Sequence, residues 1–145
     1  MKILIACDHA GYNLKQQLIA FLQQKNYIVS DLGCNSADIS VDYPDFAHNL
    51  AINLQDGDFG ILICGSGVGI NIAANRHYNV RAALCTNVKT AKLARAHNNA
   101  NVLCLGARFI KKNTAINMLK NFLQQDFEGG RHATRVSKIN NHEHK

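Results

Sequence analysis

Between residues 59 and 125 the chain contains no aspartate or glutamate. That gap removes the carboxylate a dinucleotide site places about 20 residues beyond its glycine loop. With no spaced series of His and Asp ligands either, it argues against a resident metal. Proline is nearly missing too, a single residue in 145. The glycines are scattered, so nothing reads as a linker, and residues 1–145 fit one domain with a core large enough to need no staples. No apolar run approaches membrane-spanning length, and Met1-Lys2 leads straight into a strand-like run too short and too weakly flanked for a signal peptide. The 5 cysteines are odd in number and contain no Cys-x-x-Cys pair. Cys7, Cys64, Cys85 and Cys104 lie in or at the ends of apolar runs, the pattern of reduced thiols. The expectation is a cytoplasmic protein with no membrane partner.

Lysine runs and aromatic stacking series are absent as well, and this bears on the charge. Residues 1–75 hold 3 Lys/Arg against 7 Asp/Glu, whereas residues 76–145 hold 13 against 3. Such asymmetry can signal nucleic acid. Here Lys89, Lys92 and Arg95 share one helical segment, while Arg108, Arg131 and Arg135 stand apart on others. A phosphorylated small molecule accounts for the basic excess equally well, and the expectation is no nucleic-acid partner.

What the chain does have is organised around one stretch. Phe59-Gly-Ile-Leu-Ile-Cys64 is an apolar run of strand length; it passes into Gly65-Ser-Gly-Val-Gly69 and resumes as Ile70-Asn-Ile-Ala-Ala-Asn75, which reads as helix. Alternating glycines turn backbone N–H groups towards one point at the positive end of a helix, which outlines an anion site. It is not a P-loop, since the loop carries no lysine, and Ile70 stands where a dinucleotide fingerprint has its last glycine. A small anion suits it better than a nucleotide.

The remaining segments alternate. Strands are expected at Lys2–Cys7, Tyr27–Leu32, Val80–Cys85 and Asn101–Gly106, around the central one at Phe59–Cys64. Between them, Leu14, Leu18, Phe21 and Leu22 recur at helical spacing. Tyr43-Pro44 opens a helix with Phe46, Ala47, Leu50, Ala51 and Leu54 on one face, ended by Gly57. A further helix runs from about Asn87 to His97, and a last one carries Ala115, Met118, Leu119, Phe122 and Leu123. Gly129-Gly130 breaks the chain before an arm with Arg131, His132 and Arg135, and residues from about 136 form a tail. Five strands alternating with helices predict an α/β fold, a three-layer α/β/α sandwich with a Rossmann-like five-stranded parallel sheet. In such sheets ligands gather at the carboxyl ends of the strands. That edge collects Asp8 and His9, Cys64 with its loop, and Arg108.

Each candidate has a bland alternative. Asp8 is a favoured helix cap, but beside His9 it suits phosphate binding or proton transfer. Cysteines commonly fill cores, as Cys7, Cys85 and Cys104 are expected to do. Cys64 differs in standing at a helix N-terminus beside a polar loop, where a thiol becomes a thiolate base or nucleophile. Ser66 is either an ST-turn residue or a proton relay in an oxyanion loop. His97 either complements a helix dipole or, in the polar run His97-Asn-Asn-Ala-Asn101, belongs to a site. Arg131 and Arg135 share a face if the arm is helical and then clamp a phosphate; otherwise they are solvated. His142 and His144 read as a frayed tail rather than a metal site.

Cys7-Asp-His-Ala-Gly11, Asp42-Tyr-Pro44, Ile63-Cys-Gly-Ser-Gly-Val-Gly-Ile70, Arg95-Ala-His-Asn98, Asn101-Val-Leu103 and Gly129-Gly-Arg-His132 together resemble the motif series of the type B ribose-5-phosphate isomerases, a family that includes galactose-6-phosphate and allose-6-phosphate isomerases. The likeness covers all but the last ten or so residues. It implies a cofactor-free isomerase with Cys64 as the base moving a proton between the first two sugar carbons. Gly65, Ser66, Gly67, Val68 and Gly69 would form the anion hole, with Ser66, where the family often has threonine, moving a proton between the two oxygens. His97 would open the furanose ring. Asp8, Tyr43 and Asn98 would contact the sugar, and His9, Arg108, Arg131 and Arg135 the phosphate. Some members use a glutamate in the loop region as base; Ile70 and Asn71 offer none here.

These residues also meet the reaction's needs: a base, donors for an oxyanion, an acid for ring opening and a handle that positions the sugar. The alternatives are a hexose-6-phosphate isomerase of the same family and a sugar-phosphate-binding protein without turnover. In a strand–helix alternation His97 falls at the opposite end of the sheet from Cys64, roughly 20 Å away at about 3.3 Å per residue. A site shared between subunits follows, in a homodimer or a dimer of dimers.

Overall fold

The computed structural model describes residues 1–141; His142 and His144 lie outside them. The order is β1 (Ile3–Cys7), a 3-10 turn (His9–Gly11), α1 (Tyr12–Gln24), β2 (Val29–Asp31), α2 (Tyr43–Asn53), β3 (Phe59–Cys64), α3 (Val68–Ala74), β4 (Ala82–Leu84), α4 (Val88–Asn98), β5 (Val102–Gly106), α5 (Lys112–Gln124) and α6 (Arg131–Ser137). The five strands form one parallel sheet in the order β2-β1-β3-β5-β4. After β1 the chain builds outward to β2, then returns to place β3 on the other side of β1, so the topological switch lies between β1 and β3.

Helices cover both faces. Leu14, Leu18 and Leu22 of α1, Ala91 and Ala94 of α4, and Met118, Leu119 and Phe122 of α5 pack with Ile3, Ile5, Ile61, Ile63, Leu103 and Leu105. On the opposite face Ala47, Leu50 and Ala51 of α2 and Ile70 and Ala74 of α3 meet Leu4, Ala6, Leu62, Val102 and Cys104. β1, β3 and β5 are therefore apolar on both sides, as strands sandwiched between helix layers must be.

The bounds of four elements differ from the sequence expectation for local reasons. β2 and β4 shrink to three residues because each is an edge strand, pairing on one side only, with β1 and β5 respectively. α2 stops at Asn53, and Gly57, at φ 83°, turns the chain after the helix has ended. α6 continues through Ser137, two residues into the stretch read as tail, and Asn140 Nδ2 donates to Tyr78 O at 2.6 Å. Arg131 and Arg135 are thus on a helix at i,i+4, the condition on which their sharing a face depended.

Candidate active site

At the switch, the N–H of Asp8 donates to Ile63 O at 3.1 Å, locking the end of β1 to β3. Asp8 is buried and caps the 3-10 turn, its Oδ1 accepting from the N–H groups of Ala10 (3.0 Å) and Gly11 (3.2 Å). Its bland reading is therefore what Oδ1 does, and the cap also fixes where the acid stands. His9 Nδ1 accepts from the Val41 N–H at 3.2 Å. That bond leaves Nε2 to carry any donated proton and ties the segment ahead of α2 to the site.

Cys64, buried at the end of β3, accepts the Gly67 N–H on its sulfur at 3.1 Å. A backbone donor thus stands on this sulfur. The other sheet thiols sit in apolar surroundings that hold their protons. Burial pushes Cys85 up to about 11 although Thr90 pulls it down, and burial first, then neighbouring thiols, raises Cys7 and Cys104 well above the ordinary range.

The glycines explain how distant residues reach this loop. A Cβ on Gly65 would lie 2.9 Å from Arg108 Nη1, so the guanidinium folds over the strand end. A Cβ on Gly69 would collide with the Tyr43 ring, which brings the start of α2 onto the start of α3. Gly67 has φ 79°, a left-handed backbone that glycine adopts freely. The Ala107 and Arg108 N–H groups close the arrangement by donating to Cys64 O (2.9 Å) and Gly65 O (3.1 Å).

Two loop amides have local partners in the free protein: the Gly67 N–H donates to Cys64 Sγ and the Val68 N–H to Ser66 Oγ at 3.2 Å. Short local contacts of this kind satisfy a turn's own donors. Ser66 Oγ thus makes an ST-turn contact, and its side chain is exposed at the strand end.

His97 and Asn98 close α4 at the far end of the sheet. The Arg95 guanidinium in the same turn lies 4.7 Å from the centre of the Phe59 ring, at the beginning of β3. Cys64 ends that six-residue strand, so at about 3.3 Å per residue the strand's two ends are roughly 17 Å apart. A cavity of about 550 Å³ opens at this lower end, lined in part by Asp58, Arg81, Arg95, Val136 and Ser137. The structure therefore groups Asp8, His9, Tyr43, Cys64, the loop through Gly69 and Arg108 at one edge. It places His97, Asn98, Arg131 and Arg135 at the other, so within one chain the two groups do not meet.

Beside His97 stand two side chains to which the sequence reading gave no role. His132 stacks on the His97 ring at 4.1 Å between centroids and 10° between planes. Glu128 Oε2 lies 3.7 Å from His97 Nε2 and 3.8 Å from His132 Nε2. The signal available was Glu128 itself, an acid four residues before His132 in a half of the chain with few acids. The three groups have ligand atoms within 4.8 Å of one another, a grouping that one-dimensional spacing does not reveal. Parallel rings direct their in-plane nitrogen lone pairs side by side rather than to one point, which fits a metal about 2.0–2.1 Å from each nitrogen poorly.

Fold and site define a parallel α/β protein whose switch point carries a thiol, a glycine loop and an arginine. The family profile described as Ribose/Galactose Isomerase matches residues 3–139, and the chain belongs to that family. It is 49% identical over 140 residues to the probable ribose-5-phosphate isomerase B of Mycoplasma genitalium, covering 94% of this chain and 92% of that one. Identity is 41% over 140 residues to ribose-5-phosphate isomerase B of Escherichia coli, covering 95% and 93%. Among solved structures, ribose-5-phosphate isomerase B of Clostridium thermocellum superposes with a TM-score of 0.94 at 48% identity, over 97% of this chain and 96% of that one. The M. genitalium enzyme with bound ribulose 5-phosphate gives 0.90 at 47%, over 97% and 94%. Among the described residues no helix is long and apolar enough to cross a membrane.

Proposed function

We propose that this protein interconverts ribose 5-phosphate and ribulose 5-phosphate through an enediol, as a cytoplasmic enzyme of the pentose phosphate pathway without a cofactor. The observation that carries the reading is Cys64, whose sulfur sits on a loop amide at the switch point while its fellow sheet thiols are held protonated by burial. Cys64 acts as the base that moves the proton between C1 and C2. The glycine loop stabilises the oxyanion, and Ser66 exchanges its local turn contact for the two sugar oxygens between which it relays a proton. His97 opens the furanose, Asp8, Tyr43 and Asn98 hold the sugar, and His9, Arg108, Arg131 and Arg135 hold the phosphate, whose binding energy positions the reacting carbons.

Because these groups stand at opposite ends of one sheet, the reading requires two chains per site. A two-fold homodimer is the simplest closed solution and a dimer of dimers extends it. Support comes from apolar side chains left in solvent around edge strand β4: Val68 is 46% exposed, Ile72 53% and Ile139 48%. The test is conversion of ribose 5-phosphate to ketose, with galactose 6-phosphate and allose 6-phosphate in parallel. Turnover of the pentose, undiminished by a chelator, is expected; turnover of neither pentose nor hexose phosphates refutes the enzyme reading.

A further inference from the structure

We infer that Glu128 is a positioning residue for His97, holding its imidazole for the ring-opening step while His132 closes one face of the ring. The inference rests on the isomerase reading and adds to it a residue outside the catalytic set. Three observations converge. The Glu128 N–H donates to Ala96 O at 3.0 Å, so the residue is fastened to the last turn of α4, next to His97, whatever its side chain does. Its carboxylate oxygen lies between the two imidazoles, 3.7 and 3.8 Å from their Nε2 atoms. Among the described residues no lysine or arginine nitrogen lies within 4.0 Å of this carboxylate, although Arg131 is only three positions away; the close nitrogens are those of the two histidines.

The two imidazoles of the stack differ in their surroundings. His132 is the more enclosed of the two, with 11% of its side chain accessible against 37% for His97. Desolvation first, then the charges of His97 and Arg131, lower its basicity, against the pull of Glu128. His132 therefore stays neutral and serves as a flat wall, while the carboxylate faces His97 Nε2. A carboxylate on one nitrogen of an imidazole orients the ring and leaves the other nitrogen for the substrate, an arrangement recurrent in proton-transfer sites.

Ring opening needs a proton donor held in place. As the bond between C1 and the ring oxygen breaks, the ring oxygen takes a proton from His97. The anomeric hydroxyl gives its own to water, C1 becomes an aldehyde, and solvent returns a proton to the imidazole. Nothing is oxidised or reduced. Proton transfer at C1 and C2 is a separate event at Cys64, and ribulose 5-phosphate, which cannot close a furanose because its O5 is esterified, enters that event directly.

The experiment uses this separation. Glu128→Gln keeps size and backbone contact and removes charge; Glu128→Asp keeps charge on a shorter arm. Two rates are compared with wild type: net conversion of ribose 5-phosphate, and incorporation of solvent deuterium at C1 of ribulose 5-phosphate. Glu128→Gln is expected to lower kcat for conversion about tenfold, with KM little changed and deuterium incorporation within about twofold of wild type, and Glu128→Asp to recover part of the loss. Unchanged conversion in Glu128→Gln, or an equal fall in both rates, overturns the inference. Failure of the wild-type protein to convert ribose 5-phosphate would instead strike at the isomerase reading.

Discussion

Cys64 and Cys104 belong to neighbouring strands two register positions apart, since Leu62 pairs with Cys104 and Cys64 with Gly106, yet they live in different chemical worlds. Cys104 is enclosed in the apolar layer, whereas Cys64 ends its strand where the chain turns and an amide meets its sulfur. Alkylation at pH 8 is therefore expected to label Cys64 first, read by peptide mapping, and saturating ribose 5-phosphate to slow it. Cys64→Ala should melt near the wild-type temperature and lose at least about a hundredfold in kcat; a variant that keeps substantial turnover removes Cys64 from the base role. The buried thiols support a second prediction. An unfolded cysteine loses its proton near 9.0 and Cys85 in the fold only near 11. Between those values the unfolded state binds fewer protons than the native one, so stability falls as pH rises. Cys7 and Cys104 act in the same direction. Melting temperatures from pH 8 to 11 should decline, and Cys85→Ala, less stable at pH 8, should decline less steeply; a parallel decline would show that Cys85 contributes nothing to it.

At the scale of elements, β3 was legible to the residue because a strand buried on both faces leaves a continuous apolar run closed by glycines. β2 and β4 were overestimated because their flanking apolar residues, such as Tyr27 and Val80, pack under helices without joining the ladder. That Asp8, His9, Cys64 and Arg108 share one edge was readable because they lie at or just beyond strand ends. Glu128 beside His97 was not, since that meeting depends on how the chain after α5 crosses the end of α4 and no local pattern encodes it. The glycine loop was read as an anion cradle, but its second function, admitting Tyr43 and Arg108, appears only once the elements pack. Gly69→Ala tests that function. The methyl group displaces the Tyr43 ring, and a misplacement of about 1 Å in a positioning group can cost up to a hundredfold. The variant should keep its melting temperature and lose about tenfold in kcat/KM, chiefly through KM. An unaltered KM would mean that Tyr43 does not touch the sugar.

Across the whole molecule, the parallel sheet imposes a polarity that one chain cannot overcome. Every strand carries its carboxyl end to the edge where Cys64, Asp8 and Arg108 stand, and every following helix returns to the edge where His97, Arg131 and Arg135 stand. An acid and a base acting on one pentose must both lie within hydrogen-bond reach of it, about 3 Å, against a strand length of roughly 17 Å at about 3.3 Å per residue. In the proposed dimer, a second copy turned by a two-fold axis beside β4 would bring the lower edge of one chain to the upper edge of the other and cover Val68, Ile72 and Ile139. The decisive measurement mixes two inactive variants. Cys64→Ala and His97→Asn are prepared separately, shown to be nearly inactive, then unfolded and refolded together. In a statistical mixture half the dimers are hybrids, and each hybrid holds one site with both residues intact and one with neither. Recovery of about a quarter of wild-type activity is expected, because two-fold symmetry gives each dimer two equivalent sites. If hybrids form, as a charge or mass tag on one variant would verify, and no activity returns, Cys64 and His97 act from the same chain and the shared-site dimer is wrong.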